Sequence, residues 1–340
     1  MNAKNDNLVK RIFAADQFAL VLALIVIFVF FSAATEYFLT GQNISNIFRQ
    51  VSINLVAGVG MTVLLLIGDV DLSIGSLVAL VGVACVATTN ATQSVFVGIV
   101  VGIAVGVGVG FVNGKIVTGF GINSLIATLG MMSVIRGAVY IITNAVAVQV
   151  TVPTFTLIGS GNVFGVIPIP IVISLGLFIV FFIVLRYTAF GRYIYAAGDN
   201  PEAAKASGLN VNKLKMYTFI ICSTLAAVAG LILTARTNSA QPNSGSGLEF
   251  TVIAAVILGG TSLSGGKGSL IGSLIGVFIL QLVNTGLVMM NVSSFWQEVV
   301  RGSVIILAVV LDTARQRKQE IASSKLTQQL ALENASKETT

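Results

Sequence analysis

The feature that most constrains this chain is a series of ten apolar runs, at roughly residues 18–35, 50–68, 72–89, 94–118, 122–142, 168–186, 215–236, 249–262, 269–290 and 296–313. A helix needs about 20 predominantly apolar residues to cross a bilayer, and all of these runs except the one at 249–262 approach that length. Composition leads the same way. Of 340 residues 55% are hydrophobic and 9% charged, against about 25% charged in a soluble domain. The expected fold class is an all-α membrane protein of about ten transmembrane helices, and soluble single-domain folds are excluded.

What is missing narrows the chemistry. The chain has no His, so it has no imidazole base and no His metal ligand. Cys85 and Cys222 lie far apart inside apolar runs and read as core-packing thiols, neither a disulfide nor a metal site. No convincing nucleophile–base pair exists, so no catalytic residue is assigned and an intramembrane enzyme is set aside. The net charge of +6 does not indicate nucleic acid, because the basic residues cluster beside the apolar runs, as in a protein oriented by its charges.

Those charges also give a topology. Lys4, Lys10 and Arg11 precede the first run, Arg186, Arg192, Lys205, Lys213 and Lys215 follow the sixth, and Arg315, Arg317, Lys318, Lys325 and Lys337 follow the last. With all three segments in the cytoplasm, ten spans alternate consistently, and Lys115 and Lys267 fall at cytoplasmic turns. Arg49 goes against the rule. The first run is longer than the ~7–15 residues of a signal-peptide core and reads as an uncleaved helix. The domain limits are then a cytoplasmic tail at 1–17, a transmembrane domain at 18–313 with a cytoplasmic loop at 187–213, and a cytoplasmic tail at 314–340. The expected location is the cytoplasmic membrane, as a multi-pass protein with both termini in the cytoplasm.

Four local features stand out. Gly98, Gly102, Gly106, Gly110 and Gly114 recur every four residues and form a smooth ridge on a helix, suited to packing within the subunit or to a dimer seam. Gly260–Ser269 resembles a phosphate loop, but its spacing is wrong and Gly268, not Ser or Thr, follows Lys267; it reads as a cytoplasmic turn that binds no ATP. Asp69 and Asp71 interrupt an apolar stretch, where a carboxylate is costly. Three readings stay open for them: a turn, a cap for the helix that follows, or a proton- or cation-coupling site. In the loop, Asn200 suits an N-cap, Pro201 the first helical position and Glu202 the positive dipole end, Ala203, Ala204 and Ala206 propagate a helix, and Gly208 ends it. Two turns are not stable alone in water, so this helix needs a surface to dock on; an ordinary loop is the plainer reading.

Four ordered stretches carry a resemblance. They are Val51-Ser-Ile-Asn54 with Gly60-Met-Thr62 and Asp71-Leu-Ser-Ile-Gly-Ser76, Ile126-Ala-Thr-Leu-Gly130 with Arg136-Gly137, Phe190-Gly-Arg192 through Ala196-Ala-Gly-Asp-Asn-Pro201 to Gly208, and Phe250 through Leu258-Gly-Gly-Thr-Ser-Leu-Ser-Gly-Gly266. Over about 40–313 the chain resembles the membrane permease subunits of ATP-binding-cassette importers of the ribose and monosaccharide class. It departs from the family where Gly68-Asp69-Val70 stands in place of paired glycines. The resemblance implies two related halves and a second permease chain, identical or related. It also implies separate cytoplasmic ATPase subunits that hold ATP and Mg, an extracytoplasmic sugar-binding protein, and transport by alternating access with no cofactor on this chain. It makes Asp199, Asn200, Pro201, Glu202, Ala203, Ala204 and Gly208 the ATPase-coupling helix. Polar residues in apolar helices are expensive unless used or paired, which nominates Asn54, Asp71, Ser73, Asn123, Ser124, Thr128, Gln281 and Asn284 for the substrate pathway. Arg136 and Arg301 fall towards the outer side, against the binding protein or lipid headgroups. The competing function is a cation-coupled secondary transporter using Asp69 or Asp71.

Overall fold

A computed structural model describes residues 3–307, 309–310 and 313–314, with side chains described from residue 18 onward. The tail expected at 314–340 therefore lies outside the described residues, apart from residue 314. The long helices are α1 (Ala3–Ala34), α2 (Gly41–Leu66), α3 (Ile74–Thr92), α4 (Val95–Phe120) and α5 (Ser124–Thr143). A connection holding the single-turn α6 (Leu157–Ser160) leads to α7 (Ile169–Tyr187), α8 (Ala189–Asp199), α9 (Pro201–Ala206), α10 (Val211–Thr237), α11 (Leu248–Leu258) and α12 (Leu270–Met289). A last helix, α13, covers 294–307.

Seven of these helices (α2, α3, α4, α5, α7, α10 and α12) are long and apolar enough to cross a membrane. The other three apolar runs form shorter segments: Phe18–Ala34 within α1, α11, and α13. At 1.5 Å per residue the 11 residues of α11 reach only about half of a ~30 Å hydrocarbon core. Among the described residues, the exact count of ten spans is therefore not confirmed. The fold is an all-helical membrane fold, with exposed apolar residues such as Phe96, Phe120, Ile126, Ile141 and Ile179 on the outside and α2, α3 and α10 mostly buried.

Direct contacts fix how the central helices run. A Cβ placed on Gly106 would lie 2.5 Å from the Ala227 Cβ, on Gly110 2.7 Å from the Phe219 carbonyl, and on Gly114 2.7 Å from the Met216 sulfur. As the numbers rise on α4 they fall on α10, so the two are antiparallel and backbone-close. Gly102 faces Leu231 and Val81 on the same ridge. The glycine ridge is therefore filled by α10 and α3 of the same chain and is not free to serve as a dimer seam. α3 runs parallel to α10: Asp71 meets Ser223, Gly230 meets Val78 and Gly82 meets Thr234. Because Ser223 lies at the midpoint of α10, α3 starts half-way down that helix. The short strands β1 (Val148–Gln149) and β2 (Ser239–Ala240) pair antiparallel, Val148 opposite Ala240, and tie together the two uncharged connections that follow α5 and α10.

Lys115, Arg186, Arg192, Lys205, Lys213, Lys215 and Lys267 gather at one end of the bundle. Arg49 and Arg136 lie towards the other, and their guanidinium groups hold loops there. Arg49 donates to the Ser160 carbonyl and the Asn162 Oδ1, both at 3.0 Å. Arg136 donates to the carbonyls of Pro242 at 2.6 Å and Ser244 at 3.0 Å.

Candidate functional site

The pathway residues nominated from sequence separate into two groups and one outlier. The first group lines a cavity of about 210 Å³ bordered by α2, α10, α11, α12, α13 and the loop at 245–247. Its polar lining includes Gln50, Asn54, Gln281, Asn284, Gln297 and Arg301. The Asn54 amide donates to the Gln281 Oε1 at 3.2 Å, and the Gln281 amide donates to the Thr285 hydroxyl at 3.0 Å. Carboxamides offer donors and acceptors without net charge, so the cavity suits a small, neutral, polyhydroxylated solute. Arg301 is paired with Glu298 at 2.7 Å and brings its Nη1 within 3.2 Å of where a Gly247 Cβ would stand. On the side of the basic end the cavity is shut: α2 and α12 close on each other where Gly58 meets Val277 and the Thr62 hydroxyl donates to the Ser273 Oγ at 2.8 Å.

The second group forms the break between α2 and α3. Asp71 is fully buried. Its Oδ1 accepts from the Ser73 amide (2.8 Å) and the Ser73 hydroxyl (2.6 Å), and its Oδ2 from the Asn113 amide and the Ser223 hydroxyl, each at 3.2 Å. This is an Asx-turn at the entry to α3, with α4 and α10 each contributing a donor. From α5, the Ser124 Oγ accepts from the Val70 amide at 3.3 Å and the Thr128 Oγ1 from the Leu72 amide at 3.0 Å. Asp69 pairs with Lys215 of α10 at 2.8 Å. The two carboxylates thus sit in a turn, where Asp71 accepts from the Ser73 amide just before α3 and from no amide of its first turn. Backbone left unpaired at such depth costs several kcal/mol per group, which is why hydroxyls stand opposite it. Asp71, Ser73, Ser124 and Thr128 meet here, away from the cavity. Asn123 belongs to neither group: it is exposed and caps α5 by accepting from the Leu125 amide at 2.9 Å.

The basic end carries two short helices where the sequence suggested one. α8 precedes the expected helix and packs through Gly191, Ile194, Ala197 and Gly198. Gly198 lies against the Leu66 carbonyl at the end of α2, and the Gly266 amide donates to that same carbonyl at 2.9 Å. α9 follows, with the Asn200 side chain accepting from the Ala203 amide at 3.0 Å and Pro201 in the first turn. Gly208 takes φ +85° just after it. Asp199 and Ala203 are exposed, Glu202 is 83% exposed in its pair with Lys205, and Ala204 is buried against the body.

Residues 43–309 match the model of the permease component of the branched-chain amino acid transport system. The chain belongs to this permease family. The permease is 41% identical over 300 residues to the ribose import permease protein RbsC of Escherichia coli strain K12, covering 87% of this chain and 93% of that one. It is 41% identical over 293 residues to RbsC of Bacillus subtilis strain 168, covering 86% and 91%, and 37% identical over 300 residues to the L-arabinose ABC transporter permease protein AraH of Azospirillum brasilense, covering 88% of each. No solved structure matches the permease.

Gln50, Asn113, Ser223, Glu249 and Gln297 were missed from the sequence. Asn113 sits among the ridge glycines and Ser223 beside Cys222, and a polar residue in an apolar run was the available signal for both. Glu249 is buried with Gly75 against it. It stands in the first turn of α11, where a carboxylate is favoured.

Proposed function

We propose that this chain is the permease subunit of an ATP-binding-cassette importer that carries a monosaccharide, ribose or a close relative, across the cytoplasmic membrane. The observation that carries the substrate class is the near full-length similarity to ribose and arabinose permeases; the carboxamide-lined cavity is chemically compatible with it. The basic end faces the cytoplasm, with both termini on that side. There α9, with Asp199 just before it, meets a separate ATPase subunit that holds ATP and Mg, through Asp199, Asn200, Pro201, Glu202, Ala203, Ala204 and the turn at Gly208. A sugar-binding protein delivers the solute at the opposite end, and a second permease chain completes the pathway. With its cytoplasmic side shut by Gly58–Val277 and Thr62–Ser273, the cavity corresponds to a state loaded from outside. ATP favours the other state by binding it more tightly. No residue of this chain makes or breaks a covalent bond. The cation-coupled alternative is not favoured, because Asp69 is held by Lys215 and Asp71 by four donated hydrogen bonds.

The test is a mild-detergent pull-down of the tagged chain from its own cells, followed by an ATP hydrolysis assay. A co-purifying ATPase is expected, with association at least tenfold weaker in Glu202→Arg. The exposed Glu202–Lys205 pair is worth at most about 1 kcal/mol, so this variant reaches the membrane normally and its loss of uptake reports docking alone. Normal uptake by Glu202→Arg would remove α9 from the contact, and uptake in vesicles lacking ATP would remove the importer reading altogether. In the cavity, Gln281→Leu takes away the partner of both Asn54 and Thr285. A buried polar partner is worth about 1–3 kcal/mol, so uptake of labelled ribose at low concentration is expected to fall about tenfold with membrane abundance unchanged. Equal uptake would place the sugar elsewhere.

A further inference from the structure

A cavity of about 680 Å³ near the basic end lies between α7, α8 and the start of α12 and belongs to neither the solute cavity nor the α9 surface. Its rim carries Arg186 and Arg192, and its wall is Phe182, Leu185, Leu270 and Ile271. The Tyr195 hydroxyl closes one side by donating to the Gly268 carbonyl at 3.0 Å.

Three sources of positive potential converge on this space. Arg186 is in the last turn of α7, where a cation is favoured by the helix dipole. Arg192 is in the first turn of α8, where a cation is disfavoured, so the fold of α8 gives no reason for it. The N-terminus of the 20-residue α12 also borders the cavity, at Ser269, Leu270 and Ile271. Neither arginine forms an ion pair among the described residues, and no acidic residue lines the space.

The surroundings point to lipid as the source of the missing anion. α7 is a membrane-crossing helix whose Ile179, Val180 and Ile183 are exposed, so the apolar wall continues onto a lipid-facing surface. Tyr187 and Tyr193, both exposed, flank the arginines, at the level where tyrosines gather along a membrane interface. Charged above and apolar below, the cavity has the polarity of one phospholipid molecule. We propose that it binds the phosphate headgroup of an anionic phospholipid between Arg186 and Arg192, with an acyl chain along Phe182 and Ile271. Basic pockets between membrane helices on the cytoplasmic side have the chemistry for such headgroups.

The test compares the full chain in nanodiscs of phosphatidylcholine alone with nanodiscs holding a fifth phosphatidylglycerol, and counts retained lipid by native mass spectrometry. One phosphatidylglycerol per chain is expected to survive release, with a raised thermal midpoint. The double variant Arg186→Gln/Arg192→Gln is expected to retain it about tenfold less well while matching the parent midpoint in phosphatidylcholine. The variant Lys115→Gln/Lys213→Gln removes the same charge from the same end outside the cavity and is expected to retain the lipid. Equal loss in both variants would show diffuse surface attraction and overturn the site. Displacement of the lipid by millimolar glycerol 3-phosphate would make it a small-anion site. Full retention by the arginine variant, with loss of the co-purifying ATPase, would assign the arginines to a protein contact instead.

Discussion

Asp71→Ala is expected to lower the thermal midpoint of the purified chain more than any other side-chain truncation at the break between α2 and α3. Interhelical hydrogen bonds in membranes average only about 0.6 kcal/mol, so losing the bonds from Asn113 and Ser223 is a minor part of the effect. The larger part comes from donors left without an acceptor in a place water does not reach. The Ser73 amide and hydroxyl and the Asn113 amide are all buried, and an orphaned buried donor costs about 1–3 kcal/mol. Together these put the loss at about 3 kcal/mol or more. Asp71→Asn keeps one acceptor oxygen in place and is expected to lose about half as much. The measurement is thermal unfolding in detergent, followed by the fraction of chain that stays monodisperse. If alanine is tolerated, or if asparagine is as damaging as alanine, the network does not hold the break.

Gly110→Leu is expected to abolish the folded yield. The Cβ of any residue at 110 would lie 2.7 Å from the Phe219 carbonyl and 2.8 Å from the Ile220 Cα. Those atoms belong to the backbone of α10 and cannot turn aside as a side chain would. Overpacking of this kind costs about 1–3 kcal/mol even where the neighbours are flexible. Even Gly110→Ala is therefore expected to destabilise, although alanine favours a helix over glycine by about 1 kcal/mol. Gly108 is the internal comparison. It lies on the same helix, is exposed and has no atom near its missing Cβ, so Gly108→Ala is expected to be neutral or slightly stabilising. Matching behaviour at 108 and 110 would mean that α4 and α10 are not packed backbone to backbone.

Much of the fold is legible because lipid imposes a simple rule on sequence. The helices of α4 and α7 follow directly from apolar length, and α9 from Asn200, Pro201 and Gly208. What the sequence hides is whatever depends on depth. α3 reads like any other span, yet it begins beside Ser223 at the middle of α10, because nothing in an apolar run tells how far into the bilayer it starts. α8 was missed for a different reason: Ala189–Asp199 holds two glycines and three aromatics, a poor helix on propensity, and it forms by docking Gly191 and Gly198 against backbone. The polar residues were legible as a set but not as partners. Asn54 and Gln281 are 227 positions apart and hydrogen-bonded. Asp71 and Gln281, both buried polar residues in apolar surroundings, belong to different sites.

α2 has one further consequence. It is a single unbroken helix that carries Asn54 in the cavity and, 12 residues later, the Leu66 carbonyl that receives Gly266 and lies against Gly198. At 3.6 residues per turn those two points have a fixed angular phase, and each residue added or removed between them rotates one relative to the other by about 100°. A single apolar insertion in 55–65 would leave the helix as apolar as before and its backbone bonds made, yet turn Asn54 away from Gln281. Length variation among relatives is therefore expected to collect in the connection at 144–168 and to be absent from this stretch of α2, where the spacing of residues carries as much information as their identity.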